Sequence, residues 1–234
     1  MNVTAASDIP GNLERAREAV AAAARAAGRN SDEVVLVAVS KRQPAELIAA
    51  AAAAGQRHFG ESTTQEALPK IEQFRTAGLV WHFIGHLQSN KARFVPDNFA
   101  WLHSLDSLDL ARRLSRQAQG GSLDTLIEVN VTRDPVRHGL AREAVLPFVE
   151  QLAQAALPGI RLRGLMAIGP HPATEPQLRA AFAAVRALRD DCRQRLGLSG
   201  FTELSMGMSA DFVPAIAEGA TMVRLGTAIF GARG

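Results

Sequence analysis

The sequence contains no tyrosine, one cysteine (Cys192) and only three lysines, Lys41, Lys70 and Lys91. Each shortage excludes something. A single cysteine rules out an internal disulfide and a cysteine-built metal cluster. Without tyrosine, no phenol serves as a general acid or base. No apolar run approaches the ~18 residues that a membrane helix needs, so no membrane role is expected. The N-terminal stretch lacks the continuous apolar core of a signal peptide. Asp8, Glu14 and Glu18 interrupt what a transit peptide keeps free of acids. That stretch reads as an amphipathic helix in a cytoplasmic protein. The formal charge is +3, and no compact Lys/Arg block carries interleaved aromatics, so nucleic-acid binding is not expected.

What is present is a recurring alternation. A hydrophobic content of 47% over 234 residues suffices for one large core. Eight short apolar segments follow one another: VVLVAVS (34–40), RHFG (57–60), LVWHFIG (79–85), AWLHSL (100–105), TLIEVNV (125–131), LRGLMAIG (162–169), FTELSM (201–206) and TMVRLG (221–226). Most are separated by stretches of helical composition and spacing, such as PAELIAAAAAAG and REAVLPFVEQLAQAA. Strands alternating with helices predict a parallel sheet, and eight such units predict a closed (β/α)8 TIM barrel. An open doubly wound sheet would carry a Gly-rich turn after its first strand. Here that turn reads SKRQP. The expectation is one barrel domain over residues 1–234, with residues 1–30 as an extra N-terminal helix outside it.

In such barrels the chemistry gathers at the C-terminal ends of the strands. There the sequence places Lys41, the rim residues Glu61, His86, His103 and Asn130, then Met166, SMGMSAD (205–211) and RLGTAIFG (224–231). The last two stretches supply small residues and backbone N–H groups suited to a phosphate, with Ser209 or Asp211 as a helix cap. Two ordinary tight turns would read the same way. Lys41 ends a strand in a chain that otherwise uses arginine, which stays protonated and forms no imine. It is read as a Schiff-base lysine, with a solvent-seeking lysine as the plain alternative. Arg224 lies two residues before Gly226, on the same side of the strand. An aldehyde, a phosphate and a ring between them describe pyridoxal 5'-phosphate (PLP), with Arg224 facing the ring nitrogen. His82 and His86 lack a third ligand at a plausible spacing, so no metal is expected. Glu61 and Glu128 read as buried structural carboxylates with arginine partners.

The motifs VAVSKRQP, HFGESTTQE, WHFIGHLQSNK, HSLDS, EVNV with RHGL, GLMAIGP and LSMGMSADFVPAIAEGATMVRLGTAIFG resemble those of the YggS/PROSC family of PLP homeostasis proteins. The resemblance covers nearly the whole chain after the first helix. It implies a barrel like the N-terminal domain of alanine racemase, the type III fold of PLP proteins, with Lys41 as the imine lysine. It further implies Ser205, Gly226 and Thr227 at the phosphate, and Met206, Gly207 and Ser209 lining the cup. Ser62, His86 and Met166 complete the expected cofactor-binding set. The chain departs from the family pattern at Ser62 and Thr63, which replace an asparagine and an aromatic. It departs again at Arg137, which replaces a lysine.

Three functional readings follow: a non-catalytic carrier of PLP, an amino-acid racemase, and a PLP-free aldolase-like enzyme using Lys41. A racemase needs acid/base groups on both faces of its substrate, and resembling racemases use lysine and tyrosine. The missing tyrosines therefore favour the carrier, a monomer in vitamin B6 homeostasis whose transient partners would be apo-enzymes. The expected phosphate cup and Arg224 weigh against the aldolase.

Overall fold

The computed structural model describes residues 8–118, 121–132, 134 and 136–231. Strands β1 (Val35–Val39), β2 (His58–Glu61), β3 (Val80–Phe83), β4 (Trp101–Leu105) and β5 (Leu123–Asn130) come first. They are followed by β6 (Leu140–Ala141), β7 (Ile160–Ala167), β8 (Glu203–Met208) and β9 (Met222–Leu225). All pairings are parallel, in the order β4-β3-β2-β1-β9-β8-β7-β5, and β4 pairs β5 to close the ring. The two-residue strand β6 lies outside the ring, on the end of β5. This is the expected eight-stranded barrel. Its boundaries move by two residues in places: β7 starts at Ile160 and β8 runs on to Met208.

Helices α1 (Ile9–Ala26), α2 (Ala45–Ala53), α3 (Thr64–Gln73), α4 (Leu108–Gln117), α5 (Arg142–Ala155), α6 (Glu175–Arg195), α7 (Phe212–Ala217) and α8 (Thr227–Phe230) surround it. Helix α1 falls within residues 1–30, where the sequence leads to an expectation of an extra helix; residues 1–7 of that stretch lie outside the described residues. Asp8 Oδ1 accepts from Gly11 N–H to open it, and its apolar stripe (Ile9, Leu13, Ala16, Val20, Ala23) packs beside α2, α7 and α8.

Side chains alternate across each strand, so successive residues face the helices or the barrel axis. Outward residues such as Phe59, Phe83, Leu204 and Val223 build the main core against the helices. Each fully buried large apolar side chain contributes roughly 1.5–3 kcal/mol. The interior is less usual. Leu126, Met166 and Met222, with Val35 and Trp101, form a small apolar plug. Beside it lie polar groups, His82, His103, Ser205 and Arg224, all of them buried. A barrel of this kind is ordinarily filled by branched aliphatic residues; this one commits part of its axis to hydrogen-bonding side chains.

Candidate functional site

Val35, Val37 and Val39 are alternate residues of β1, and Lys41 is the next in that series. Ser40 N–H still bonds Gly60 O at 3.0 Å, so the ladder ends only one residue before Lys41. Lys41 is half-buried, and Arg42 after it adopts φ +61°. A left-handed conformation in a non-glycine residue costs on the order of 1–3 kcal/mol, so its surroundings must hold it. Lys70, from α3, does so. Its Nζ donates to Ser40 O at 2.9 Å, Glu61 Oε1 at 2.9 Å and Glu66 Oε1 at 2.7 Å. Ser40 Oγ donates to Glu61 Oε1 at 2.6 Å, and Arg42 N–H donates to Glu66 Oε1. Burial holds the Glu61 carboxyl above its usual range, and the bonds from Ser40 and Lys70 pull it back. The expected arginine partner of Glu61 is therefore a lysine, because α3 packs over β2 and β2 delivers Glu61 to that side.

The second half of the site is the β8 and β9 rim. Leu225 pairs Ala38, which sets Gly226 beside Val39, where a Cβ at Gly226 would stand 3.5 Å from Val39 Cβ. The β9 turn thus lies next to the strand carrying Lys41. Ile229 and Phe230 N–H both bond Gly226 O, so Thr227 and Ala228 occupy a first helical turn, whose N–H groups have no intrahelical partner. Across from it, Gly207 adopts φ +95°. A Cβ there would meet Ala215 Cβ at 2.7 Å and Phe212 Cα at 2.9 Å. We expect Gly207→Ala to cost about 1–3 kcal/mol in chemical unfolding, since α7 must move outward.

Arg224 extends from β9 beneath this rim and is 5% exposed. Its Nη1 donates to Ser205 O at 2.7 Å and Ser205 Oγ at 2.6 Å, and its Nη2 donates to Ala167 O at 2.9 Å. Among the described residues these acceptors are neutral oxygens. Asp211 and Glu128 act on it only through space, and burial brings the guanidinium down to about 10.

Other expected members of the site lie elsewhere. Ser205 is fully buried, and its hydroxyl bonds Arg224 and His103, below the level of the cup. Met206 points outward into the main core, and Met166 belongs to the interior plug. Ser209 sits in the turn between β8 and α7. Asp211 stands at the start of α7 but turns its carboxylate back to Met208 N–H, at 2.6 Å, and does not cap the helix. The Ser62 backbone packs tightly against Gly85, where a Cβ would fall 2.2 Å from Ser62 O. Thr63 caps α3 through Glu66 N–H. His86 stacks on His138 with centroids 3.8 Å apart and faces Asp106 at 3.7 Å. That places it over β3 to β5, away from the β9–β1 seam. His103, expected on the rim, is fully buried inside the barrel.

A cleft of about 640 Å³ opens beside the β8 turn, lined by Glu128, Asn130, Arg137, His138, Gly169 and Asp211 among others. Arg137 Nη1 donates to Gly169 O at 3.3 Å. Glu128 Oε2 is buried without a hydrogen-bond partner among the described residues. Arg224 reaches Glu128 only through space, so the expected arginine pair is not a contact. Burial, then the charge of Asp106, raises the Glu128 carboxyl from 4.5 to about 7. Because the folded state holds this proton more tightly, its stabilising contribution is full below pH 4.5 and is lost as pH rises through about 7. Glu128→Gln is expected to remove that dependence and to be the more stable form at pH 8, on the order of 2 kcal/mol. Urea unfolding at pH 5 and pH 8 measures it.

Comparison with known proteins then decides the family. A family model described as "Alanine racemase, N-terminal domain" matches residues 12–234. The protein named "Pyridoxal phosphate homeostasis protein" from Pseudomonas aeruginosa is 46% identical over 229 residues, 97% of this chain and 96% of that one. Its namesake from Escherichia coli K12 is 43% identical over 242 residues, 97% of each chain. The chain belongs to the pyridoxal phosphate homeostasis protein family. PipY of Synechococcus elongatus PCC7942, solved with PLP bound, superposes with a TM-score of 0.84 at 39% identity, covering 96% of this chain and all of that one. Alanine racemase from Corynebacterium glutamicum shares the fold, with a TM-score of 0.67 at 21% identity over 94% of this chain and 62% of that one.

For a member of the pyridoxal phosphate homeostasis family, two features of this site are not read from the motifs: a residue outside them, and the alignment of three histidines within them. One is Lys70, which reaches 30 residues back to Ser40. The other is the set His58, His82 and His103, linked at about hydrogen-bond distance inside the barrel. The available signal was parity. Each histidine alternates with an outward apolar residue (Phe59, Trp81 and Leu102) in three consecutive strands. Among the described residues, no group of His, Cys, Asp and Glu is arranged to hold a metal, and no helix is long and apolar enough to cross a membrane.

Proposed function

We propose that the protein binds PLP reversibly at the β9–β1 rim, buffers it in the cytoplasm and supplies it to apo-enzymes, without turning over a substrate of its own. The observation that carries the reading is the juxtaposition of three groups. Lys41 follows β1, the Gly226–Ala228 turn lies beside Val39, and the buried Arg224 guanidinium sits below both. The residues fit the cofactor. Bound there, PLP supplies an aldehyde for a lysine amine and a ring nitrogen that accepts a hydrogen bond.

The chain's own residues have distinct tasks. Lys41 offers the amine, and the Lys70–Glu61–Glu66 network fixes the backbone that presents it. Thr227 and Ala228 present N–H groups toward a phosphate, and Gly226 and Gly207 keep the backbone close. Arg224 donates and cannot give up a proton readily, so a ring nitrogen facing it stays unprotonated. That disfavours carbanion chemistry and suits holding over conversion. The absence of tyrosine from the sequence points the same way. We read Ser209 as part of the phosphate cup, Ser205 as the support of Arg224, and the chain as a monomer.

The test uses the purified protein and added PLP. A visible absorption change, with one lysine-linked pyridoxyl group fixed on Lys41 by borohydride and no alanine racemisation, is the expected result. No spectral change on adding PLP would overturn the cofactor site. Racemisation at an ordinary enzymatic rate, about 1–10³ s⁻¹, would overturn the carrier.

A further inference from the structure

Three imidazoles cross the barrel in a line that the proposed PLP contacts do not use. His58 Nδ1 lies 3.0 Å from His82 Nε2, His82 Nδ1 lies 2.9 Å from His103 Nε2, and His103 Nδ1 lies 2.9 Å from Ser205 Oγ. His82 and His103 are fully buried, and Trp101 stacks on His82 with centroids 5.8 Å apart and planes 9° apart. Burial holds both rings well below the usual imidazole range, so both are neutral. His58, at the first residue of β2, opens on the opposite face of the barrel from Lys41, in a cleft shared with Arg17, Asp32, Gln56 and Arg57.

A neutral imidazole has one donor and one acceptor, so a line of them must run in a single direction. Arg224 decides which. Its Nη1 can only donate, so Ser205 Oγ accepts at 2.6 Å. The hydroxyl proton then goes to His103 Nδ1. That leaves His103 Nε2–H to donate to His82 Nδ1, and His82 Nε2–H to donate to His58 Nδ1. His58 Nε2–H faces the floor cleft. In the reverse order Ser205 Oγ would receive two donors, and no further acceptor among the described residues is in hydrogen-bond contact to take its own proton. The favoured order satisfies every group. It also commits the Ser205 hydroxyl proton to His103, away from a buried cation that has no carboxylate in hydrogen-bond contact among the described residues. Aligned bonds polarise one another, by about 10–30% per bond.

We propose that His103, His82 and His58 are positioning residues for Arg224. The guanidinium imposes the Nε2–H tautomer on all three rings through Ser205, and the aligned chain in return keeps Arg224 charged and oriented toward the rim. The functional consequence rests on the reading of Arg224 as the ring-nitrogen partner, whereas the tautomer order does not. The test is therefore made without PLP, and its failure is distinguishable from failure of the cofactor site.

Imidazole ¹⁵N resonances of labelled, ligand-free protein at neutral pH report each tautomer. All three rings are expected as neutral Nε2–H, favoured roughly tenfold or more. Ser205→Ala removes the one hydroxyl that carries the direction. In that variant His82 is expected to lose its single tautomer, although it does not touch residue 205. An Nδ1–H ring anywhere in the wild-type chain would overturn the proposal without any substitution. So would a Ser205→Ala spectrum in which only His103 responds, the result of a merely local packing role.

Discussion

Alanine in place of Lys41 is expected to abolish covalent capture of PLP while leaving the fold intact. The side chain is half-buried at the end of β1, in a turn whose backbone is tied down by other residues. Its loss therefore removes chemistry and little packing, and the melting temperature should stay within a few degrees. The N–H groups of the first turn of α8 and the Arg224 guanidinium remain, so weak binding is expected to persist. We expect retention to fall on the order of a hundredfold, about 2.7 kcal/mol, with no borohydride-fixed adduct. Lys41→Arg should behave the same way, because a guanidinium offers no neutral amine for an aldehyde. Equilibrium dialysis against PLP, with mass analysis after borohydride, measures both quantities. A fixed adduct of wild-type yield in Lys41→Ala would move the attachment point elsewhere, with Lys70 and Lys91 as the remaining lysines.

That prediction draws on a part of the molecule the sequence displays well. The eight apolar segments match the eight barrel strands because each is short and apolar, and most carry β-branched or aromatic residues. The Lys41, Gly207 and Gly226 positions followed from where those strands end. What the sequence hides is depth. Ser205 and Met166 stand one layer too low to line the cup, and Met206 faces the helices. One residue of parity decides between axis and helix layer, and a strand-end reading does not resolve it. His103 does face the axis, but it lies below the rim because its strand runs on to Leu105. The partners of Glu61 and Glu128 were hidden differently. A buried carboxylate predicts a cation nearby, yet which helix brings it depends on packing between segments far apart in the chain.

Glu61 carries the second large effect. Its side chain is fully buried, and Lys70 is its ionic partner at 2.9 Å. Removing one member of a buried pair leaves an uncompensated charge and costs roughly 3–5 kcal/mol. Lys70→Ala should therefore lower the melting temperature by about 10 °C at neutral pH. The loss should also depend on pH, with a definite sign. Burial already raises the Glu61 carboxyl above 4.5 in the folded state, against the lowering effects of Ser40 and Lys70. A raised carboxylate stabilises the fold below its unfolded value and loses that contribution as pH climbs through the folded one. Without Lys70 the folded value climbs further, so the variant suffers most at neutral pH and approaches wild type as pH falls toward 4.5. Glu61→Gln in the same background should recover much of the stability by removing the charge, a non-additivity expected of direct partners. Covalent capture by Lys41 should slow in Lys70→Ala at any pH where the protein is folded, since Ser40 O and Glu66 lose the cation that holds the Arg42 turn at φ +61°. Parallel stability curves for the two proteins from pH 4.5 to 8 would show that Lys70 contributes packing alone, and that the turn beneath Lys41 is held by something other than charge.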